Sequence, residues 1–261
     1  MSTSSNVRGI RVQPLGGSTA IVELGGLRII TDPTLDPPAA SGNGKPRRTT
    51  APALGAAELG RLDVALVSHD QHPDNLDTAG RALLAEIPLV LTTTEGAERL
   101  GGSARGLAPF EHVDVGGPDG SRLRITALPA RHGPEGAEAV LGAVVGFLLS
   151  GEGLPTVYVS GDNASVDVVR EIVEHVGTID IALLFAGGAS DPQFFDGAHL
   201  TLGSIEAVEA ARLIGARAVV PLHCDGWTHY SQDSASLAAA FTDAGMEDVL
   251  AVVPTGATVE L

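Results

Sequence analysis

The sequence predicts an α/β protein built as a four-layer α/β/β/α sandwich. Three observations point there. Short β-type runs open the chain, a β/α alternation follows them, and the same order of strands then alternating units repeats in the second half. Each half can form a sheet covered by helices on one side, and two such halves bury their bare faces against each other. The 261 residues are 44% hydrophobic and 18% charged, a composition that supports a sizeable core in a globular chain. No linker divides them, so residues 1–261 are read as one domain with a flexible start over residues 1–9.

The elements follow in order. Residues 10–15, 18–24 and 27–31 are short β runs, with Gly25-Gly26 as a hairpin turn between the last two. Asp32-Pro33 ends the third run, and the Pro-, Gly- and Ser-rich stretch 37–51 reads as an exposed loop. Residues 64–68 form a buried strand. Leu76, Ala79, Leu83 and Leu84 have helical spacing, which predicts a helix over 75–86 that stops before Pro88. A strand at 89–92 and a short helix at 95–100 complete this unit. Strands are expected at 113–115, 122–128, 140–149 and 156–160. Helices at 166–176, 203–214 and 234–244 alternate with strands at 179–185 and 218–221. Residues 249–253 and 258–261 close on β structure.

Composition excludes several functions. With 32 acidic against 16 basic side chains the formal charge is −16, so the chain lacks the clustered Lys and Arg that a nucleic-acid binder needs. The single cysteine, Cys224, can make neither an internal disulfide nor a Cys-rich zinc ribbon. Any metal must then be held by His, Asp, Glu or Asn. No stretch reaches 18 consecutive apolar residues and the first eight residues carry no apolar core. A cytoplasmic enzyme with a small-molecule substrate, no nucleic-acid partner and no membrane partner is expected, with homo-oligomerisation left open.

Four segments could carry chemistry. Ser68-His69-Asp70-Gln71-His72-Pro73-Asp74-Asn75 leaves the end of an apolar strand and runs into a helix start. Ligands bind at such strand ends in α/β proteins. The plainer reading makes Asp74 or Asn75 a helix cap and the histidines surface residues. Pro129-Ala130-Arg131-His132 follows a second strand, Ser160-Gly161-Asp162 a third and Pro221-Leu222-His223 a fourth. Each has a bland alternative as a turn or packing residue. Four strand ends that each deliver His or Asp can together build a site for one or two metals.

With those segments in place, the sequence resembles the metallo-β-lactamase-fold hydrolases, in the branch that contains ascorbate-6-phosphate lactonase. Gly16-Gly17-Ser18-Thr19-Ala20-Ile21-Val22-Glu23 and Gly26-Leu27-Arg28-Ile29-Ile30-Thr31-Asp32-Pro33 are similar to that branch's opening hairpin. The four polar segments resemble its metal motifs, and the likeness spans residues 10 to 230. The family's first motif is His-x-His-x-Asp-His. With one inserted residue this chain supplies His69, His72, Asp74 and Asn75, so Asn stands where the last His is expected. The resemblance implies a first metal on His69, His72 and His132 with Asp162 bridging. It implies a second on Asp74, Asp162 and His223, with Asn75 as a weak neutral ligand. Zn²⁺ is the expected ion, one or two per chain, with Mn²⁺ or Fe²⁺ as alternatives. The implied activity is hydrolysis of a small lactone, ester, thioester, amide or phosphoester by a metal-activated water. Asp74, which would orient the water and accept a proton, and His72 are the candidate catalytic residues. Two other readings stay open: a binding module that has lost metal chemistry, motivated by Gln71, Pro73 and Asn75, and a non-hydrolytic cyclase or lyase on the same site.

Lesser candidates remain. Asp32 is either a partner that orients a metal-bound His or a turn cap before Pro33. Cys224 is read mainly as a small buried side chain. His199 and His229 are ambiguous, His112 and His175 are read as outside the site, and Phe194, Phe195, Trp227 and Tyr230 either line a pocket or pack.

Overall fold

The computed structural model describes residues 9–38, 46–118 and 120–261. The flexible start expected over residues 1–9 and the middle of the 37–51 loop therefore lie largely outside the described residues.

The first half forms β1 (Arg11–Gly16), β2 (Thr19–Leu24), β3 (Leu27–Thr31), β4 (Val64–Leu66), α1 (Thr78–Leu84), β5 (Val90–Thr92), α2 (Thr94–Leu100) and β6 (Ala104–Gly106). Then come β7 (His112–Gly116), β8 (Arg122–Pro129), α3 (Glu138–Leu141), β9 (Val145–Ser150), β10 (Val157–Val159) and α4 (Val166–Val176). The chain ends with β11 (Ile181–Phe185), α5 (Ser204–Ile214), β12 (Ala218–Leu222), α6 (Ser234–Asp243) and β13 (Val259–Glu260).

Two sheets result. One has seven strands in the order β13-β1-β2-β3-β4-β5-β6, the other six in the order β12-β11-β10-β9-β8-β7. Strands β3 to β6 pair in parallel, as do β10, β11 and β12; the hairpin strands pair antiparallel. The period-2 alternation of the sequence decides which face each side chain takes. Val22, Ile29, Val64, Phe147, Leu149 and Leu183 turn inward and form the core between the sheets. Ile21, Ile30 and Val67 turn outward under Leu76, Leu83 and Leu84 of the α1 region. Leu148, Tyr158, Ala182 and Leu184 pack under Val169, Ala207 and Leu237 of α4, α5 and α6. The four expected layers are therefore present. Among the described residues no helix is long and apolar enough to cross a membrane.

Several boundaries differ from expectation. Helix α1 begins at Thr78, not at residue 75, because Asp77 caps it by accepting the Gly80 amide at 2.7 Å. Asp74 and Asn75 are thereby left free of capping. Residues 140–149 are not one strand: Glu138–Leu141 is a helical turn, and β9 starts at Val145 after Gly142 takes φ +83°. The apolar run hid this break, since periodicity alone cannot separate a buried strand from a buried turn. Residues 249–253 make only an isolated bridge, Leu250 to Val219, beside a 3-10 turn at Glu247–Val249. Strand β6 was not expected, because Ala-Arg-Gly carries no strand pattern; it is a sheet edge.

Candidate metal centre

All four polar segments leave the sandwich at one end. His69 follows β4, His132 follows β8, Asp162 follows β10 and His223 follows β12. The four side chains are buried. One potential ligand atom each from His69, His72, His132 and Asp162 lies within 4.8 Å of the others, and the same holds for Asp74, Asp162 and His223. Asp162 belongs to both sets. Its Oδ2 is 3.7 Å from His132 Nε2 and its Oδ1 is 3.5 Å from His223 Nε2, so it can give one oxygen to each.

Backbone geometry makes this convergence achievable. Gly161 has φ +54°, and a Cβ there would stand 2.8 Å from both the Ser68 Cβ and the Val145 carbonyl oxygen. Only glycine lets the Asp162 turn press against the end of β4. His223 itself has φ +57°, an uncommon conformation for a residue with a Cβ, and such backbone concentrates at functional sites. Its ring stacks on Phe185 with centroids 5.4 Å apart and planes 7° from parallel.

Hydrogen bonds fix which ring nitrogens face the centre. With the Asp32 carboxyl ionised, as a nearby cation favours, Ser68 Oγ donates to Asp32 Oδ2 at 2.7 Å and accepts from His69 Nδ1 at 3.0 Å. That leaves His69 Nε2 without a hydrogen. His132 Nδ1 donates to the Leu200 carbonyl at 2.7 Å, which likewise bares His132 Nε2. Both bare atoms face His72 Nδ1, at 2.8 Å and 3.2 Å. Burial, reinforced by the neighbouring imidazoles, holds His69 well below its ordinary pKa, and burial lowers His132 as well. Neutral rings with converging lone pairs are the form in which histidine ligates a cation. The donor set therefore fits a divalent metal, and Asp32 reaches it through Ser68 rather than by touching a histidine.

Asp32 is the buried end of this relay. Burial and the charge of Asp162 push its carboxyl up to about 8. Between pH 4 and 8 the folded metal-free protein keeps a proton there that the unfolded chain has released, so this contribution to stability falls as pH rises. Asp32→Asn should therefore gain on the wild type across that window, by at most about 1.4 kcal/mol per pH unit. Denaturant unfolding of both metal-free proteins at several pH values checks this; parallel profiles would contradict it. A separate expectation concerns the relay's middle. Ser68→Ala frees the His69 tautomer, and zinc affinity should drop by about 10–100-fold in a calorimetric titration.

The second set is arranged differently. Burial alone would raise Asp74, but hydrogen bonds and charge from His223 and His229 more than offset it and hold the carboxyl well below the usual range. His223 Nε2 lies 3.1 Å and His229 Nε2 2.9 Å from the same oxygen, Asp74 Oδ2. Asn75 does not point a lone pair at its carboxylate neighbours. Its amide nitrogen donates to Asp162 Oδ1 at 2.9 Å and faces Asp32 Oδ2 at 3.3 Å. Two carboxylates on that side dictate the orientation of the amide.

The remaining candidates separate cleanly. Gln71 packs against Gly142, away from the centre, and Asp70 pairs with Arg99 to anchor the loop. Burial pushes the Cys224 thiol up to about 12, so it is no thiolate at neutral pH. His199 faces Glu206 at 3.4 Å, and His175 stacks on Phe110. His112 lies exposed on β7. Trp227 packs near Arg48 and stands edge-on to His229, and Tyr230 lies against the rings of His223 and His229. Of the two ambiguous histidines, His229 is the one the structure brings to Asp74. Its only signal was its place six residues after His223 in a Trp-Thr-His-Tyr segment.

A cleft of about 260 Å³ opens onto both sets, with His72, Asp74, His132, Asp162 and His229 at its floor. Val140, Leu141, Phe194 and Leu200 form an apolar wall, and Asp191 also lines it.

Two facing sheets with an imidazole and carboxylate cluster at one end define the metallo-β-lactamase class of fold. The chain belongs to the beta-lactamase superfamily domain family, whose model matches residues 27–224. It is 29% identical over 260 residues to a UPF0173 metal-dependent hydrolase of Pelotomaculum thermopropionicum, covering 97% of this chain and 100% of the relative. Among solved structures, a possible metal-dependent hydrolase from Veillonella parvula superposes with TM-score 0.82 at 18% identity, over 96% of this chain and 99% of that one. An isothiocyanate hydrolase from Delia radicum gut bacteria gives TM-score 0.79 at 19% identity, over 95% and 98%. At that identity the two structures share the fold.

Proposed function

We propose that the chain is a metal-dependent hydrolase of small, uncharged acyl compounds: lactones, esters, thioesters or amides. The observation that carries this reading is the convergence of His69 Nε2, His72 Nδ1 and His132 Nε2, two of them with tautomers fixed by hydrogen bonds behind the ring. These three nitrogens with Asp162 would hold the first cation, and Asp74, Asp162 and His223 a second. A bound Zn²⁺, Mn²⁺ or Fe²⁺ supplies Lewis acidity, acidifying a water and polarising an acyl oxygen.

The protein groups divide the remaining work. His72 spends Nδ1 on the cluster, so its part is to hold the cation rather than to act as a base. Asp74 is held ionised, which fits it to orient the attacking water by accepting a hydrogen rather than to keep the proton. The apolar wall of Val140, Leu141, Phe194 and Leu200 takes the acyl portion and limits water. Among the described residues no Lys or Arg lines the cleft, and Asp191 adds negative charge. The apolar wall and the negative charge of Asp191 favour a neutral acyl substrate over a phosphoester. The purified protein, screened on lactones, thioesters, amides and phosphoesters, should hydrolyse a neutral acyl substrate. Chelation should abolish that activity and added metal restore it. Full activity in chelator-treated protein with no residual metal would overturn the reading.

A further inference from the structure

We infer that the substrate carries an apolar acyl chain of medium length with an uncharged end, and that Val140 and Phe194 at the cleft mouth set that length. The inference rests on the hydrolase reading above and narrows it to one kind of acyl chain. Three observations carry it. First, the apolar wall continues past the buried part of the cleft. Leu141 and Leu200 are buried and pack with Ala137 and Ala189. Val140 and Phe194 line the same cleft but are 61% and 44% exposed, two of the four exposed large apolar side chains among the described residues. Apolar groups gathered in the open at one cleft mark a ligand-binding groove. Second, the wall starts at the metal cluster. The Leu200 carbonyl accepts from His132 Nδ1 at 2.7 Å and from the Gly133 amide at 3.1 Å. A Cβ on Gly133 would stand 3.1 Å from Leu200 Cδ2 and 3.5 Å from Leu141 Cδ1, so both leucines sit beside the His132 turn. An acyl group held at the cluster then lays its chain along Leu200 and Leu141 toward Val140 and Phe194. Third, the turn that carries Phe194 has a costly backbone. Phe195 and Asp196 follow it at φ +49° and +53°, and the Phe194 amide donates to the Asp191 carbonyl at 2.9 Å. Such backbone clusters at ligand sites.

Volume and charge fix the kind of chain. The cleft measures about 260 Å³. At roughly 30 Å³ for each water-sized group, that space holds about eight or nine non-hydrogen atoms, which suits a hexanoyl or octanoyl group better than an acetyl. Asp191 lines the same cleft, and Asp74 and Asp162 lie on its floor. A second carboxylate or a phosphate at the far end of the chain would meet like charge there. Val140 and Phe194 are then specificity-determining residues, which bury the outer methylenes of the chain.

The test is the binding of alkyl hydroxamates to the zinc-loaded protein, read by calorimetry and independent of turnover. These are acyl compounds, uncharged in neutral solution, whose head group binds zinc. The series runs from acetohydroxamate to dodecanohydroxamate. In wild type the affinity should rise by up to about fourfold for each methylene buried, then level off near the octanoyl member. Val140→Ser and Phe194→Ser should each cut the ratio of octanoyl to acetyl affinity by at least about fourfold, the worth of one methylene. Circular dichroism and zinc stoichiometry check that the variants are folded and loaded. A hydroxamate whose chain ends in a carboxylate should bind more weakly than the methyl-ended one of equal length. Equal affinity across the series, or none at any length, would overturn the inference and leave the hydrolase reading intact. So would an unchanged octanoyl-to-acetyl ratio in both variants. If sedimentation then showed that they had lost self-association, Val140 and Phe194 would belong to a contact between two copies of the chain. A wild type that binds no zinc would overturn both readings.

Discussion

Asp162→Asn is expected to lose both metal equivalents together. Asp162 is the one residue common to the two sets of potential ligands, and each of its oxygens faces a different histidine, His132 or His223. An amide there offers one neutral oxygen and no charge. Affinity should fall by more than about a hundredfold, above the range for residues that merely support a ligand, and hydrolysis should fall with it. The variant carries a second signature. Asp162 helps to push the Asp32 carboxyl up to about 8, so removing the charge lets Asp32 titrate closer to the usual carboxylate range. Metal analysis and a pH titration of the metal-free variant check the two arms. Retention of both equivalents would show that Asp162 does not join the sets.

His132→Ala should be almost as damaging, by another route. It removes one of the three converging nitrogens, so the first equivalent is lost while the Asp74, Asp162 and His223 set stays in place. It also cuts the tie from His132 Nδ1 to the Leu200 carbonyl, 68 residues away in sequence. The Leu200 carbonyl keeps the Gly133 amide at 3.1 Å, so the lost bond costs about 0.5–1.5 kcal/mol, and the emptied ring volume adds to that. The melting temperature of the metal-free variant should therefore drop below that of the metal-free wild type, before any effect of the ion. An unchanged melting temperature with full occupancy of the first position would contradict the assignment.

Much of this arrangement is legible in the sequence. The parallel strands ending at His69, Asp162 and His223 announce themselves as apolar runs that stop at a polar residue, and the order of those runs implies two layered sheets. The one-residue insertion in the first motif was also readable, since His72-x-Asp74 keeps its spacing only if Gln71 is passed over. In the structure His72 and Asp74 face the cleft while Gln71 packs on Gly142. What stayed hidden depends on long-range geometry. Asp77 rather than Asp74 or Asn75 caps α1, a choice that rests on where the Gly80 amide falls. Leu200 offers its backbone carbonyl, which no side-chain pattern encodes. The relay from Asp32 through Ser68 joins residues 36 apart. His229 looks like any loop histidine until the fold brings it to within 2.9 Å of Asp74, 155 residues earlier in the chain.

The most direct measurement is anomalous diffraction from crystals grown with zinc, collected on both sides of the absorption edge. An ion should lie about 2.0–2.1 Å from His69 Nε2, His72 Nδ1 and His132 Nε2, the ordinary zinc–imidazole distance. No peak among these three nitrogens at full zinc loading, or coordination through Nδ1 of His69 or His132, would contradict the tautomers and the centre built on them.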